Sequence, residues 1–297
     1  MTEMTEVPSE AVATPLPLAA PRTAFSWVRL RGRVPLVVGL ALVVFIILAS
    51  LLAGVIAPYD PNEQDLANAV AAPGTASHLL GTDQFGRDLL SRVLYAGRID
   101  LLIAFGATGV TLLFGSLYGL ASGYFGGRVD AVLMRIVDIV FAFPLIVLVL
   151  AIIAILGGGL LNMFIAMWAV TWVPYARIVR GEVLVAKQQE YVVAARALGF
   201  GNARIMFRHV LPNVAAPALV YAMVDAVNNV SIGAALGFLG LGVADPTAEW
   251  GKMIADAQSF MATSWWLAVV PGVAIALFGL GLSLIGDSLG DWLRGEE

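Results

Sequence analysis

The sequence predicts an all-α polytopic membrane protein with six transmembrane helices. Of its 297 residues, 60% are hydrophobic and 13% are charged, whereas soluble domains carry about 25% charged residues. Six charge-poor runs reach the roughly 20 residues that a helix needs to cross a bilayer. They cover residues 34–57, 99–122, 131–156, 160–179, 213–241 and 265–285. Because these runs are continuously apolar, they favour helices over the alternating strands of a membrane barrel.

The same composition excludes several classes of protein. A mean hydropathy of +0.88 rules out soluble enzymes, nucleic-acid-binding proteins and disordered scaffolds, because most of the chain must be solvated by lipid. Cysteine is absent, and the only histidines are His78 and His209. Two histidines alone cannot build a histidine-based metal site. We therefore expect no metal ligands, no thiol chemistry and no nucleic acid partner.

The first apolar run follows a polar tail, residues 1–33. This run has 24 residues, more than the 7 to 15 or so of a signal-peptide core, so it favours a retained helix over 34–57 rather than a cleaved signal. With the N-terminus inside, 13 Lys and Arg residues fall in cytoplasmic segments and only Arg87, Arg92, Arg98 and Lys252 fall outside. Basic residues are retained in short cytoplasmic loops. Both the tail 1–33 and the tail 291–297 are therefore predicted to be cytoplasmic.

The 58–98 segment, predicted to be extracytoplasmic, is too long for a simple connector. It begins near the turn-rich APYDPNEQ and ends with LGTDQFGRDLLSRVLYAGR. Apolar residues on one helical face of that part are Leu89, Leu90, Val93 and Leu94. This spacing predicts an amphipathic helix lying on the outer interface of the membrane.

A second long connection contains EYVVAARALGFGNARIMFRHVLPN and predicts a helical hairpin over residues 188–212. One helix carries apolar residues at i, i+3, i+4 and i+7, namely Tyr191, Ala194, Ala195 and Leu198. Gly199 is expected to end this helix, and Asn202 to cap a second one carrying Ile205 and Met206. The 188–212 hairpin could be a solvated surface feature, or its smooth alanine face could insert into a groove on another protein.

The 188–212 hairpin resembles the EAA loop of ABC importer permeases. Residues at the matching spacing are Ala194, Ala195, Gly199, Leu211 and Pro212, whereas Val193 and His209 replace the general Glu and Ile. With these two replacements, the loop resembles the variant of the EAA loop found in the dipeptide/oligopeptide/nickel branch of these permeases. Further segments that are similar to the C-type subunit of that branch are LGTDQFGRDLLSR (80–92), GYFGG (123–127), MRIVDI (134–139) and FLGLG (238–242).

The resemblance implies the type I ABC importer permease fold, with a permease core over residues 99–290 in a bacterial cytoplasmic membrane. The chain would form half of the translocation path for dipeptides or oligopeptides, beside a homologous B-type permease. Two cytoplasmic ATPases would bind the EAA loop, and an extracytoplasmic solute-binding protein would deliver the solute. Nickel, glutathione or another small solute of the same family is the alternative cargo.

The resemblance also implies that the chain is not an enzyme and carries no cofactor, since ATP and magnesium would bind the ATPase subunits. The sequence agrees, because it has no phosphate-binding G-x-x-x-x-G-K-[ST] loop and its Gly251-Lys252 pair is followed by Met253. In the 188–212 hairpin, Gly199 is expected to act as a hinge or close-contact position. The residues assigned to ATPase coupling are Glu190, Tyr191, Ala194, Ala195, Arg196, Gly199 and Arg208.

Polar residues in the fifth run mark a candidate translocation path. Asp225 lies 12 residues into that run, about 18 Å deep and close to the bilayer centre, where an ionisable group needs water or a partner. Asn228 and Asn229 follow at i+3 and i+4, and Ser231 lies nearby. These residues predict a polar cavity wall, or alternatively a hydrogen-bonded cluster facing the partner permease. Asp138 is instead expected to pair with Arg135.

Glycines spaced for close helix packing form two ladders, in which the partner helix could belong to this chain or to the other permease. They are Gly115, Gly119 and Gly123 in the second run, and Gly233 and Gly237 in the fifth. Gly233 and Gly237 stand where many relatives have Glu and Ser, and Asp100 stands where a Ser usually follows the outer Arg. These departures leave the identity of the solute open.

Three other functions fit the sequence less well, and one of them, a structural membrane scaffold, would give Asp225 no role. A secondary transporter would be expected to show an inverted repeat and a chain of buried acids, and neither is visible. An intramembrane protease would need a catalytic group, for which an Asp138/Asp225 dyad is the remaining option.

Overall fold

The computed structural model describes residues 27–75 and 77–294, and within this part of the chain the elements are helices without a named β-strand. Residues 1–26 of the predicted N-terminal tail and residues 295–297 of the C-terminal tail lie outside the described residues. The α-helices are α1 Trp27–Leu51, α2 Ala53–Ile56, α3 Leu89–Phe125, α4 Gly127–Phe141, α5 Leu145–Leu156, α6 Leu160–Val170, α7 Val173–Ala186, α8 Glu190–Ala197, α9 Asn202–Arg204, α10 Leu211–Phe238, α11 Trp250–Ala257 and α12 Trp266–Arg294.

The predicted all-α polytopic membrane fold is confirmed. Four helical stretches of the described chain are long and apolar enough to cross a bilayer: Val34–Leu51, Leu89–Phe125, Asn202–Phe238 and Trp266–Leu293. A fifth is present if α4 and α5, which meet at 83°, count as one span. The count of six transmembrane helices stays a prediction.

Prolines explain where two predicted spans divide. Pro144 separates α4 from α5 inside the run 131–156, and Pro174 lies in the first turn of α7 inside the run 160–179. Proline lacks a backbone N–H and clashes with the preceding helical turn, but it fits the first turn of a new helix. The apolar composition of both runs is continuous, whereas the helical hydrogen bonding is not.

The expected amphipathic helix at the outer interface is wrong. Residues 89–98 instead form the first turns of α3, which continues to Phe125. Leu89 is 2% exposed and packs in a cluster with Trp250 and Leu267, so its face is covered by protein rather than by lipid headgroups. Asp88 caps α3, because its carboxylate accepts the backbone N–H of Ser91 at 2.7 Å.

The glycine ladders bring helices of this chain together. A Cβ atom at Gly115 or Gly119 would clash with the backbone carbonyl of Trp172 or Ala176, and one at Gly123 would lie 2.9 Å from Cβ of Val183. The ladder of α3 therefore lets α7 approach closely. In α10, a Cβ at Gly233 would lie 3.3 Å from Ile103, and one at Gly237 would lie 2.5 Å from the Glu249 carboxylate.

Candidate functional site

The turn of the 188–212 hairpin requires glycine. Helix α8 ends in a Schellman motif, in which the N–H of Gly199 donates to the carbonyl of Arg196 and the N–H of Phe200 donates to that of Ala195, at 2.9 and 3.1 Å. Gly199 has φ +78°, a left-handed conformation that side chains disfavour. A Cβ at Gly199 would meet no atom within 4 Å, so the constraint is on the backbone and the surrounding space is open.

The second arm of the 188–212 hairpin differs from the expected short helix. Helix α9 continues through a π-helical turn, Ile205–Val210, directly into α10. Asn202 does not cap it, because Gly201 occupies the N-cap position and the Asn202 side chain accepts a hydrogen bond of 3.0 Å from the Tyr124 hydroxyl. The hairpin is thus continuous with the helix that carries Asp225.

The two faces of α8 have different surroundings. Val192 and Ala195 are buried, whereas Tyr191, Ala194 and Leu198 are exposed, so Ala195 does not belong to the outward face that the sequence predicted. Leu198 is 73% exposed, and Tyr191, seven residues before it on the same helical face, is 39% exposed. Other predicted coupling residues that are exposed are Glu190, Arg196, Gly199 and Arg208.

The 188–212 hairpin is anchored to the rest of the chain on its buried side. Val192, Ala195 and Ile205 share a core cluster with Tyr175 of α7. Phe200 stacks on the ring of His209 with centroids 5.8 Å apart, and the Arg204 guanidinium lies 4.3 Å from the centroid of Phe200 on the same ring. These contacts attach the hairpin to α7, and the π-helical turn attaches it to α10.

Asp225 joins α10 to α7. Its Oδ2 atom accepts hydrogen bonds from the Tyr175 hydroxyl at 2.9 Å and from Nδ2 of Asn229 at 3.1 Å. The side chain is 3% exposed and also borders a cavity of about 450 Å³ beside α10. The hydrogen-bonded cluster around Asp225 thus lies within this chain rather than facing a partner permease, and a cavity lies next to it.

Asn228 and Asn229 lie on different sides of α10. Asn228 lines the cavity with Asp225. Asn229 is fully buried, and its Nδ2 donates to Oγ1 of Thr108 in α3 at 3.0 Å. The expectation that both amides share one polar face is corrected, because consecutive residues of an α-helix are rotated by about 100° about its axis.

Asp138 pairs with Arg177 rather than with the expected Arg135. The two side chains are 2.8 Å apart, both are exposed, and the Arg177 guanidinium also lies over the ring of Phe141. Asp138 and Asp225 have different partners, so the described contacts give no support to an aspartyl dyad. Among residues 27–75 and 77–294, no three His, Asp or Glu side chains are grouped to hold a metal ion.

Two functional features escaped the sequence interpretation. Tyr175 and Thr108 supply the buried hydroxyls around Asp225 and Asn229. Such residues could have been expected, because a buried carboxylate needs hydrogen-bond donors and neighbouring helices must provide them. Asp100 and Glu249 are both fully buried near the start of α11. Asp100 accepts the N–H of Trp250, the residue after Glu249, across 150 positions of the chain, a contact that spacing along the sequence cannot reveal.

Comparison with known proteins decides the family. The model of the binding-protein-dependent transport system inner membrane component matches residues 115–295, more than half of the chain. The protein belongs to this family. A second model, the N-terminal transmembrane domain of oligopeptide transport permease C, matches residues 24–73 of this permease. It is therefore a multi-pass component of an inner-membrane transport system that depends on a binding protein.

Relatives match the permease over most of its length. It is 42% identical to the di/tripeptide transport system permease protein DppC of Pseudomonas aeruginosa over 86% of both chains. It is 40% identical to the dipeptide transport system permease protein DppC of Escherichia coli over 99% of its own length and 98% of the relative. The probable D,D-dipeptide transport system permease protein DdpC of Escherichia coli is 38% identical over 89% of this chain.

Proposed function

We propose that this permease is the C-type subunit of an ATP-driven importer of short peptides. The observation that carries the proposal is the 188–212 hairpin, which buries one side in the chain's own core and exposes Leu198 and Val193 on the other. Apolar side chains held outward by a rigid hairpin suit insertion into a groove of another protein. The ATPase subunits of such a transporter supply a partner of that kind.

The geometry supports a mechanical coupling. A displacement of α8 by the ATPases would pass through the Gly199 turn into α9 and α10, because one helical stretch with a π-helical turn at Ile205–Val210 runs from Asn202 to Phe238. The buried contacts between the hairpin and α7 would move α7 in the same direction. Packed helices move as rigid bodies, so closure of the ATPases would reach the cavity beside Asp225.

The proposal extends to the partner permease, the orientation of the termini and the site of nucleotide binding. A homologous B-type permease would cover the open side of the α10 cavity and complete the translocation path. Both termini would lie in the cytoplasm, following the distribution of basic residues. ATP and magnesium would bind only the ATPase subunits, in accordance with the absence of a phosphate-binding loop in this sequence.

Short peptides are the proposed cargo because the matched relatives are named for dipeptide, di/tripeptide and D,D-dipeptide transport. The residues proposed to line the path are Asp225 and Asn228, while Asn229 positions Asp225 from the side of α3. Nickel or glutathione would be the cargo of the alternative importer of the same family.

The test is reconstitution of the purified complex in proteoliposomes with its binding protein outside and ATP inside. We expect two ATPase chains to accompany the permease pair and a labelled dipeptide to accumulate only with ATP. A matched preparation without ATP hydrolysis, using a non-hydrolysable analogue, is the control. Accumulation of nickel or glutathione but not of dipeptides would favour the alternative cargo, and uptake driven by an ion gradient alone would contradict the proposal.

A further inference from the structure

The cavity beside α10 has an acidic wall. Its polar side is one face of α10, on which Tyr221, Asp225 and Asn228 follow at i, i+4 and i+7, and its apolar side includes Leu145 and Ile146 of α5. The volume of about 450 Å³ lies in the range of small-molecule sites, roughly 300 to 1,000 Å³. Among the described residues that line the cavity, Asp225 is the only charged one.

The Asp225 carboxylate is held in a fixed orientation. Tyr175 and Asn229 both donate to Oδ2, and the hydroxyls of Thr108 and Thr111 are further hydrogen-bond neighbours of the carboxylate. Tyr175 is itself immobilised, because it is fully buried and its ring packs edge-on against Tyr221 with centroids 5.0 Å apart. A carboxylate oriented in advance binds a cation without the cost of reorganising its own side chain.

Asp225 has no cationic partner in the described part of the chain. The ion pairs there involve Asp83, Asp88, Asp130, Asp138, Asp245 and Asp256. A buried carboxylate is stabilised by hydrogen-bond donors or by a positive charge, and ionisable groups within membrane spans usually mark the path of a substrate. A positive charge for Asp225 would come from outside these residues, and the cavity is where it can arrive.

We infer that Asp225 is a specificity-determining residue that pairs with the α-ammonium group of a peptide in the cavity. This inference rests on the proposed function. The α-ammonium group is shared by all unblocked peptides whatever their side chains, so one fixed carboxylate can accept many sequences. The apolar side chains of α5 offer a surface for the variable part of the peptide. The negative charge of Asp225 repels the carboxylate at the C-terminal end of the peptide from this side of the cavity.

The experiment measures uptake of a dipeptide with two neutral side chains by the complete complex in proteoliposomes, at saturating binding protein, together with ATP hydrolysis. The only cation of this probe is its α-ammonium group. We expect Asp225→Asn to lower the uptake per ATP hydrolysed at least tenfold, with unchanged subunit stoichiometry. Asparagine keeps an acceptor oxygen and removes the charge.

A matched pair of variants keeps the test decisive if Asp225→Asn fails to assemble. Ser231 lines the same cavity, is exposed, and donates a hydrogen bond to the Val227 carbonyl of its own helix. Ser231→Lys adds a positive charge facing the path, and Ser231→Gln adds similar bulk without charge. We expect uptake by Ser231→Lys to be at least tenfold below that of Ser231→Gln.

The outcomes separate the two claims. Wild-type complex without ATP-driven dipeptide uptake would overturn the proposed function and this inference with it. Wild-type uptake that is unchanged in an assembled Asp225→Asn complex, or equal in the two Ser231 variants, would overturn the inference alone. An effect limited to lysine-containing dipeptides would assign Asp225 to side-chain cations and would also overturn it.

Discussion

Asp100 in α3 accepts the backbone N–H of Trp250, the first residue of α11, through its Oδ2 atom at 3.1 Å. Glu249 accepts the next two N–H groups, of Gly251 and Lys252, both at 2.7 Å. Two buried carboxylates thus cap one helix N-terminus, where negative charge is favourable. Oδ1 of Asp100 has no hydrogen-bond partner among the described residues, which leaves this contact incomplete.

The incomplete contact predicts opposite effects for two substitutions of Asp100. Asp100→Asn keeps an acceptor for the Trp250 N–H and replaces a fully buried ionisable group beside Glu249 by a neutral one, so we expect it to raise the stability of the purified complex by about 1 kcal/mol at pH 8. Asp100→Ala leaves the Trp250 N–H unpaired and should cost about 1 to 3 kcal/mol. Thermal unfolding measures both. A lower midpoint for Asp100→Asn than for Asp100→Ala would contradict the assignment.

Glu249 predicts a pH dependence of stability. Burial raises the pKa of the Glu249 carboxyl above its ordinary value, so the folded state binds its proton more tightly than the unfolded state. The stabilising contribution is full below the unfolded pKa of about 4.3 and is lost as the pH rises through the folded pKa. Thermal midpoints measured from pH 4 upward should show this loss, and Glu249→Gln should flatten it relative to the exposed control Glu63→Gln. An unchanged slope in Glu249→Gln argues against burial as the cause.

Gly199 predicts loss of coupling through backbone strain rather than through a side-chain clash. Gly199→Leu or Gly199→Ala forces a side chain into the left-handed conformation at a cost of about 1 to 2 kcal/mol, which displaces the exposed end of α8. We expect normal membrane insertion, at least tenfold lower uptake, and ATP hydrolysis that no longer responds to the loaded binding protein.

The matched control for Gly199 lies two residues away. Gly201 has φ −66°, an ordinary conformation, and a Cβ there would also meet no atom within 4 Å. The Gly201→Ala complex should therefore couple ATP hydrolysis to uptake almost normally. Equal coupling in Gly199→Leu and Gly201→Ala would show that the left-handed turn is dispensable.

Thiol labelling tests the predicted topology. Cysteine is absent from the chain, so a single introduced cysteine reports on one position. Thr75 and Ala203 are both exposed, and Ala203 is a better probe than Asn202, whose side chain bonds to Tyr124. An impermeant maleimide added to intact cells should label Thr75→Cys and spare Ala203→Cys. The reverse pattern would overturn the orientation drawn from the basic residues.

Local patterns in the sequence predicted much of the fold but not its interruptions. Apolar runs located the long helices, and Gly199 ended α8 as expected. The 83° bend at Pro144 was missed because hydropathy alone does not register a lost backbone hydrogen bond. The start of α3 was misassigned because an apolar face covered by Trp250 has the same spacing as one covered by lipid.

At the candidate sites, the sequence identified chemical groups better than their partners. Asp225 was singled out because a charge in an apolar run is costly. Its hydrogen-bond donor Tyr175 lies 50 residues away along the chain. The partner of Asp138 is likewise on another helix, because it is Arg177 and not the nearby Arg135. Contacts between helices depend on rotation and packing, which periodicity along one helix does not specify.

Site-specific photo-crosslinking at Leu198 tests the coupling role of the 188–212 hairpin most directly. A photoreactive phenylalanine analogue at Leu198, which is 73% exposed, is compared with the same analogue at Leu79, which is 69% exposed in the 58–98 segment. We predict a covalent adduct with an ATPase subunit from Leu198, altered in yield by ATP, and none from Leu79. An adduct with the ATPase from Leu79, or none from Leu198 in an assembled and active complex, would contradict the account.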